Sequence, residues 1–496
     1  MIAVIQFDAA DIALLERMLG EGRLPTLASL IERGRRVKLD SPAVDLAAAS
    51  FQTLYTGLEP GEHGHFYPFQ WVGAEGRIRL AGQIDFPRPV WEAASAAGRS
   101  VVVIDPYESQ APRTRPNGAV VSGVGFRERV VMPGWAHPAG AGRRARRAAG
   151  RPPEVNETFG LATAAELRAL RAALVAAPGR TAAAAAAALR CRRYDLAWIG
   201  LSAGHLAGHQ LRDITLLEAV GLRIGEDSRA ELATALEEVY AATDTAIARV
   251  CEALPADAQT IVVSPLGMDH NSSRADLLPA MLDAVLRGAV PERPRAGGLW
   301  RLRSAVPAEL RSAAAAAIPD RAALAVTARL ETRALDREAE AFALPADGQG
   351  FIRLNLKGRE AHGTVEPAAA DELCARIEAG LRSFADLGGG PSVARVVRAG
   401  DVYPGSRSDL LPDLIVGWTD SETVALEGVV SSELGEVRRQ GVGSGRAGNH
   451  PERSDSWAIV APGPVEAPGL VSLADLAGAI GGALGLTPAA AATRAR

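Results

Sequence analysis

The chain has 496 residues, 48% of them hydrophobic and 23% charged, with a formal net charge of −4. That composition excludes a disordered or fibrous chain. The near-neutral balance supplies no global basic field, so no nucleic-acid polymer is expected as a partner. Cys191, Cys251 and Cys374 are too few and too scattered for a disulfide framework, which points to a reduced, cytoplasmic setting. Two lysines stand against 52 arginines and alanine is abundant, a compositional bias that lowers the information in Ala- and Arg-rich stretches.

At about 150 residues per domain, the length allows roughly three units or one large core with insertions. Ile2 to Gln6 reads as a buried strand; it is short and lacks the basic leader of a signal peptide. No stretch offers the ~20 strongly apolar residues of a membrane span, so no membrane partner is expected. Asp11 to Leu19 and Thr26 to Arg33 carry apolar residues at helical spacing, Arg36 to Leu39 is a strand, and Ser50 to Tyr55 is a helix stopped by Gly57. Val90 to Ala97 is helical and Val101 to Ile104 is a strand. Ala139 to Arg151 has no apolar period and reads as a mobile loop. Asp195 to Gly200, Thr260 to Ser264, Leu414 to Trp418 and Trp457 to Val460 are further short apolar strands. The segment Gly288 to Gly348 lacks clear strands and has a helical, Ala-rich middle over Ala308 to Ala317. Strands alternating with helices predict a mainly parallel sheet covered on both faces, with ligands bound where strands end.

Five strand-end pieces carry candidate chemistry. Asp8 directly follows the first strand; it either caps the next helix or contributes a carboxylate to a site. The array Thr56-Gly-Leu-Glu-Pro-Gly-Glu-His-Gly64 builds a turn in which His63 serves as a hydrogen-bonding brace or a ligand. His205 and His209 stand four apart after a strand, a spacing that puts both imidazoles on one helical face. Asp269 and His270 follow a strand and a glycine turn, and both are competent metal ligands. His450 lies in the glycine-rich piece Arg446-Ala-Gly-Asn-His450. The chain has only eight histidines, and their gathering at strand ends favours a metal site.

The order of these pieces resembles the alkaline phosphatase superfamily, in particular its type I phosphodiesterase/nucleotide pyrophosphatase branch. The resemblance runs from Asp8 through Thr56–Gly64, His205 and His209 to Ser264–Asn271 and Asp276–Pro279. It continues with Gly350–Val365, which contains NLKGRE, and Pro412–Trp418, and closes with Arg446–His450 and Ala461–Pro464. It implies a three-layer α/β/α sandwich around a mainly parallel sheet, with an inserted cap. The core would draw on residues 1–130, 190–285 and 345–496, with an insertion over 131–189 and a cap or accessory lobe over 286–344. It also implies one or two divalent ions, zinc by family habit, and a hydroxyl nucleophile attacking phosphorus in a small-molecule phosphate ester or diester. Carried over by position, Asp8, His205, His209 and His450 are the expected ligands, and Asp413 is structural. Two departures accompany the match. The nucleophile position falls on Ala47 and Ala48, leaving Ser50, the nearest hydroxyl, or a metal-bound water as the attacking group. The family's Asp-His ligand pair falls on Pro265 and Leu266, with Asp269 and His270 four residues late as substitutes. The alternative to a hydrolase or transferase is therefore a degenerate member that keeps the fold to bind a phosphorylated ligand or act as a scaffold.

Overall fold

A computed structural model describes residues 1–155, 160–290 and 319–486. The central sheet has eight strands in the order Arg35–Leu39, Ser456–Val460, Gln259–Ser264, Ile2–Phe7, Leu196–Leu201, Val101–Ile104, Gly118–Ser122 and Trp135–His137. The five strands from Gln259–Ser264 to Gly118–Ser122 run parallel. Ser456–Val460 is antiparallel to both its neighbours, and Trp135–His137 is antiparallel to Gly118–Ser122. Ile2–Phe7, Leu196–Leu201 and Gln259–Ser264 are buried at every residue, as strands covered on both faces must be. Ala164–Leu189 and Ala235–Ala253 pack together beside the sheet, while Ala49–Thr56, Val90–Ala96 and Leu473–Ala483 form a second helical group. This is the expected three-layer α/β architecture.

The middle of the sheet is sealed by aromatic residues. Tyr55, Trp91 and Trp198 meet with ring centroids 4.8–5.5 Å apart, a geometry favourable beyond burial alone. Gln6 lies within the strand Ile2–Phe7, and its Oε1 accepts from Tyr55 Oη at 3.1 Å and Trp198 Nε1 at 3.2 Å.

Three readings of the sequence are corrected. Ala139–Arg151 is not a loop: Ala139–Ala149 is a helix whose buried residues are Ala141, Gly142 and Ala145. A stripe of such small residues leaves no apolar period to detect. Ala164–Leu189 is by length and composition able to cross a membrane, although no such segment was expected; half of its most apolar window is buried within the fold. Leu414–Trp418 does not join the central sheet. It lies in a four-stranded antiparallel sheet ordered Ala341–Leu344, Gly350–Leu354, Leu414–Trp418 and Val393–Arg398.

That second sheet carries Leu278–Arg287 and Ala370–Arg382 over a hydrophobic cluster of its own, including Met281, Ile352, Ile377 and Val416. Of the segment 345–496, residues 350–354, 393–398 and 414–418 thus belong to this second lobe, while Ser456–Val460 enters the main sheet. Ala341–Leu344 supplies a strand in the segment read as strandless, and the helix anticipated over Ala308–Ala317 lies outside the described residues.

The pieces NLKGRE and PDLIVGW are explained here as structure. Buried Glu360 accepts from Trp71 Nε1 at 2.6 Å, Arg353 Nε at 2.8 Å and Arg359 Nε at 2.8 Å. Arg359 also grips Asp413 with two nitrogens at 2.6 and 2.7 Å. Each buried charge in this network has an opposite partner, the condition under which such burial is tolerated.

Candidate metal centre

Asp8 stands at the carboxyl end of the central strand Ile2–Phe7, fully buried. It does not cap the following helix: Asp11 does, accepting from Leu14 N at 3.0 Å. On the neighbouring strand, Leu196–Leu201 runs into the helix Ala203–Leu211, which carries His205 and His209 on one face. His450 arrives on the loop after the short strand Gly448–Asn449, which pairs antiparallel with Asp269–His270. Gly208 and Gly448 permit this approach. A Cβ on Gly448 would stand 2.3 Å from the Gly208 carbonyl oxygen, and one on Gly208 would stand 2.5 Å from the Met268 side chain.

His205, His209 and His450 converge. One ring nitrogen from each lies within 4.8 Å of the others, and Nε2 of His205 is 3.1 Å from Nε2 of His450. The opposite edge of each ring is fixed by an acceptor. His205 Nδ1 is 3.1 Å from Asp8 Oδ2, His209 Nδ1 is 2.9 Å from the Gly448 carbonyl, and His450 Nδ1 is 2.9 Å from the Gly267 carbonyl. A carboxylate or carbonyl oxygen only accepts, so every Nδ1 carries a proton and Nε2 is the ring nitrogen left to ligate. Burial, the largest cause, drives the His209 and His450 imidazoles well below the ordinary histidine range, and the Arg446 charge pushes the same way. Both are therefore held neutral, the form that ligates.

The residues fit a metal ion. His205 Nε2 and His450 Nε2 face each other at 3.1 Å, a contact that either a shared proton or a metal ion between them satisfies. Neighbouring donors on one tetrahedral ion with bonds of about 2.0–2.1 Å stand ~3.3 Å apart, close to this spacing. Asp8 Oδ1 is buried with no hydrogen-bond partner, an orphaned acceptor that costs about 1–3 kcal/mol unless something satisfies it.

The remaining site residues lie elsewhere. Asp269 and His270 do not join the three histidines. Asp269 accepts from Arg212 Nη2 at 2.8 Å, from the His270 backbone N–H at 2.7 Å and from Arg453. These partners hold its carboxyl well below the usual range against the opposing effect of burial. His270 is shared between Asp269 and Asp420, at 3.2 and 3.1 Å. Ser50 is fully buried, with Oγ 2.9 Å from Ser41 Oγ. Ser41 donates its single proton to the Pro265 carbonyl at 2.8 Å, so Ser50 must be the donor to Ser41. Leu266 is wholly buried. His63 braces its turn: Nδ1 accepts from the His65 N–H at 3.0 Å and Nε2 meets Thr53 Oγ1 at 3.1 Å.

Two aromatic residues that the sequence did not single out flank the centre. Phe51 stacks on His205 with centroids 6.1 Å apart and an 18° interplanar angle, and the Tyr107 ring lies 4.6 Å from it. Their only sequence signal is position, Phe51 beside Ser50 and Tyr107 just past the strand Val101–Ile104.

A family model for type I phosphodiesterase / nucleotide pyrophosphatase matches residues 2–428. The chain belongs to that family, whose members are phosphoester hydrolases of the alkaline phosphatase superfamily. No curated protein matches by sequence. Among solved structures, the chain is similar to phosphonoacetate hydrolase from Sinorhizobium meliloti 1021 in complex with phosphonoformate, at 13% identity and TM-score 0.46, covering 98% of this chain and 94% of that one. It is also similar to murine ectonucleotide pyrophosphatase / phosphodiesterase 5, in an inactive form with AMP, at 11% identity and TM-score 0.46, covering 98% and 95%.

Proposed function

We propose that this protein hydrolyses small-molecule phosphoric esters or diesters at a divalent metal centre held by His205, His209 and His450. Family membership supports the reaction class. The observation that carries the metal is the convergence of one ring nitrogen from each histidine within 4.8 Å, with each Nδ1 locked by an acceptor. Three imidazoles and no thiolate suit zinc among the common divalent ions. Bound there, the ion supplies Lewis acidity toward a phosphoryl oxygen and toward water.

The chain's own residues do the rest. Asp8 and the carbonyls of Gly267 and Gly448 orient the three rings. Phe51 and Tyr107 keep water off the faces of His205. The donor set is neutral, so a dication there leaves net positive charge even after Asp8 is counted, and an anionic phosphate group answers it. This local charge replaces the basic field the whole chain lacks. The Ser50 proton leads through Ser41 to the Pro265 carbonyl, which is no base, so we take solvent rather than Ser50 as the attacking group. The three free cysteines support a reducing, cytoplasmic location.

A second reading, a phosphate-ligand binding protein without turnover, is favoured by that engaged Ser50 and by Leu266. Zinc- or manganese-loaded protein assayed with bis(4-nitrophenyl) phosphate, 4-nitrophenyl phosphate and ATP separates the two. Hydrolysis is expected, with at least a 100-fold loss in His209→Ala. No turnover on any substrate, together with a rise in Tm on adding AMP or inorganic phosphate, selects the binding reading.

A further inference from the structure

Resting on the metal reading above, we infer that the centre takes one ion through three histidines, and that Asp8 is a positioning residue behind His205 rather than a ligand. An imidazole bonds a metal through one nitrogen and its hydrogen-bond partner through the other, and the two point away from each other across the ring. Asp8 Oδ2 sits 3.1 Å from His205 Nδ1. The nitrogen left for the ion is His205 Nε2, on the side where His450 Nε2 waits 3.1 Å away. Asp8 is correspondingly absent from the group of donors that lie within 4.8 Å of one another, which contains the three histidines alone. This is the carboxylate–histidine–metal arrangement, in which the carboxylate fixes the tautomer and raises ligand basicity.

Asp8 Oδ1 is left as a buried, unpartnered oxygen, but among the described residues no group of three donors other than the three histidines clusters to hold a second ion. The strand Gln259–Ser264 ends at Pro265 and buried Leu266; the Pro265 carbonyl is taken by Ser41 and the Leu266 carbonyl by Ser264 Oγ at 3.0 Å. The nearest candidates along the chain, Asp269 and His270, already face Arg212, Arg453 and Asp420. Moving Asp269 onto a metal would strip two arginines of a shared counter-ion. Three protein donors also leave a fourth position of a tetrahedral ion open, the pattern of a catalytic site rather than a closed structural one.

The test uses full-length protein stripped with chelator and reloaded with Zn²⁺ or Co²⁺. Metal analysis after gel filtration is expected to give one ion per chain, and the Co²⁺ form the intense visible bands of a four-coordinate ion. Asp8→Asn and Asp8→Glu, checked for native circular dichroism, are expected to keep one ion and the same band positions. Their affinity should be weaker by about 10–100-fold for Asn and less for Glu. Two ions per wild-type chain, or folded Asp8→Asn protein that binds none, overturns this inference while leaving a metal centre in place. Wild-type protein that binds neither ion overturns the metal reading with it. One ion per chain without hydrolysis of any phosphoester upholds this inference and removes the hydrolase.

Discussion

Asp8, Gly267 and Gly448 each present an oxygen to one Nδ1, and that placement leaves the opposite nitrogen of each of three histidines available to ligate. The sequence showed the histidines, because a four-residue spacing on one helix and a position after a strand are local signals. It could not show their tautomers, since the acceptors lie up to 239 residues away. Asp269 and His270 illustrate the converse. Their type and position advertise ligands, but Arg212 and Arg453, 57 and 184 residues distant, claim the carboxylate. A buried carboxylate of another kind gives a prediction at this scale. Asp105, at left-handed φ 52°, accepts from Val124 N, Gly125 N and Thr181 Oγ1 at 2.8–2.9 Å. Burial, outweighing these donors, raises its carboxyl to about 6. A raised acid pKa means the folded state holds the proton more tightly. The contribution to stability is therefore full below pH 4, lost through pH 4–6, and absent above, a change of up to about 3 kcal/mol. Urea unfolding of wild type and Asp105→Asn at pH 4.5, 6 and 7.5 should show the gap between them shifting against wild type as pH rises; a constant gap contradicts this.

At the scale of elements, the helix Ala203–Leu211 and the short strand Gly448–Asn449 meet through missing side chains. The pieces HLAGH and RAGNH were legible as a pair of motifs, but the reason for their glycines was not, because it lies in the contact between them. Gly448→Ala puts a Cβ 2.3 Å from the Gly208 carbonyl, so the strand must retreat and the bond from His209 Nδ1 to the Gly448 carbonyl must lengthen. The expected cost is about 1–3 kcal/mol, with weaker zinc binding, readable by thermal unfolding with and without metal. An unchanged Tm difference between the two states would refute the link. The Ala139–Ala149 helix shows a different limit: alanine and glycine can pack closely without contributing to an apolar period.

For the whole molecule, the parallel core was legible because its strands are apolar throughout and separated by helical patterns. The second lobe was not, because Leu414–Trp418 is just as apolar and periodicity does not reveal a strand's partner or direction. The turn joining Ala341–Leu344 to Gly350–Leu354 reaches back onto the loop that carries His450. Asn449 Nδ2 donates to the Asp347 carbonyl at 2.8 Å while its Oδ1 accepts from the His450 N–H at 2.8 Å. Ser273 Oγ and Trp418 Nε1 donate to the Gly348 carbonyl at 2.7 and 2.9 Å, and Gln349 Nε2 donates to the Ala43 carbonyl at 3.0 Å. The second lobe thus helps to position His450. Asn449→Ala is expected to weaken zinc affinity about 10-fold and to raise hydrogen exchange over residues 346–350. Native exchange there with unchanged affinity would show the turn to be merely adjacent.

The antiparallel strand Ser456–Val460 fills an interior place between Arg35–Leu39 and Gln259–Ser264. On a ribosome this makes closure a late event. His450 is synthesised 245 residues after His205, roughly 10–50 s later at usual elongation speeds. Until then two imidazoles wait without the third and the edge of Gln259–Ser264 stands open to other chains. If the three histidines capture an ion together, nascent or prematurely stopped chains that end before Gly448 should be left metal-free and prone to aggregate.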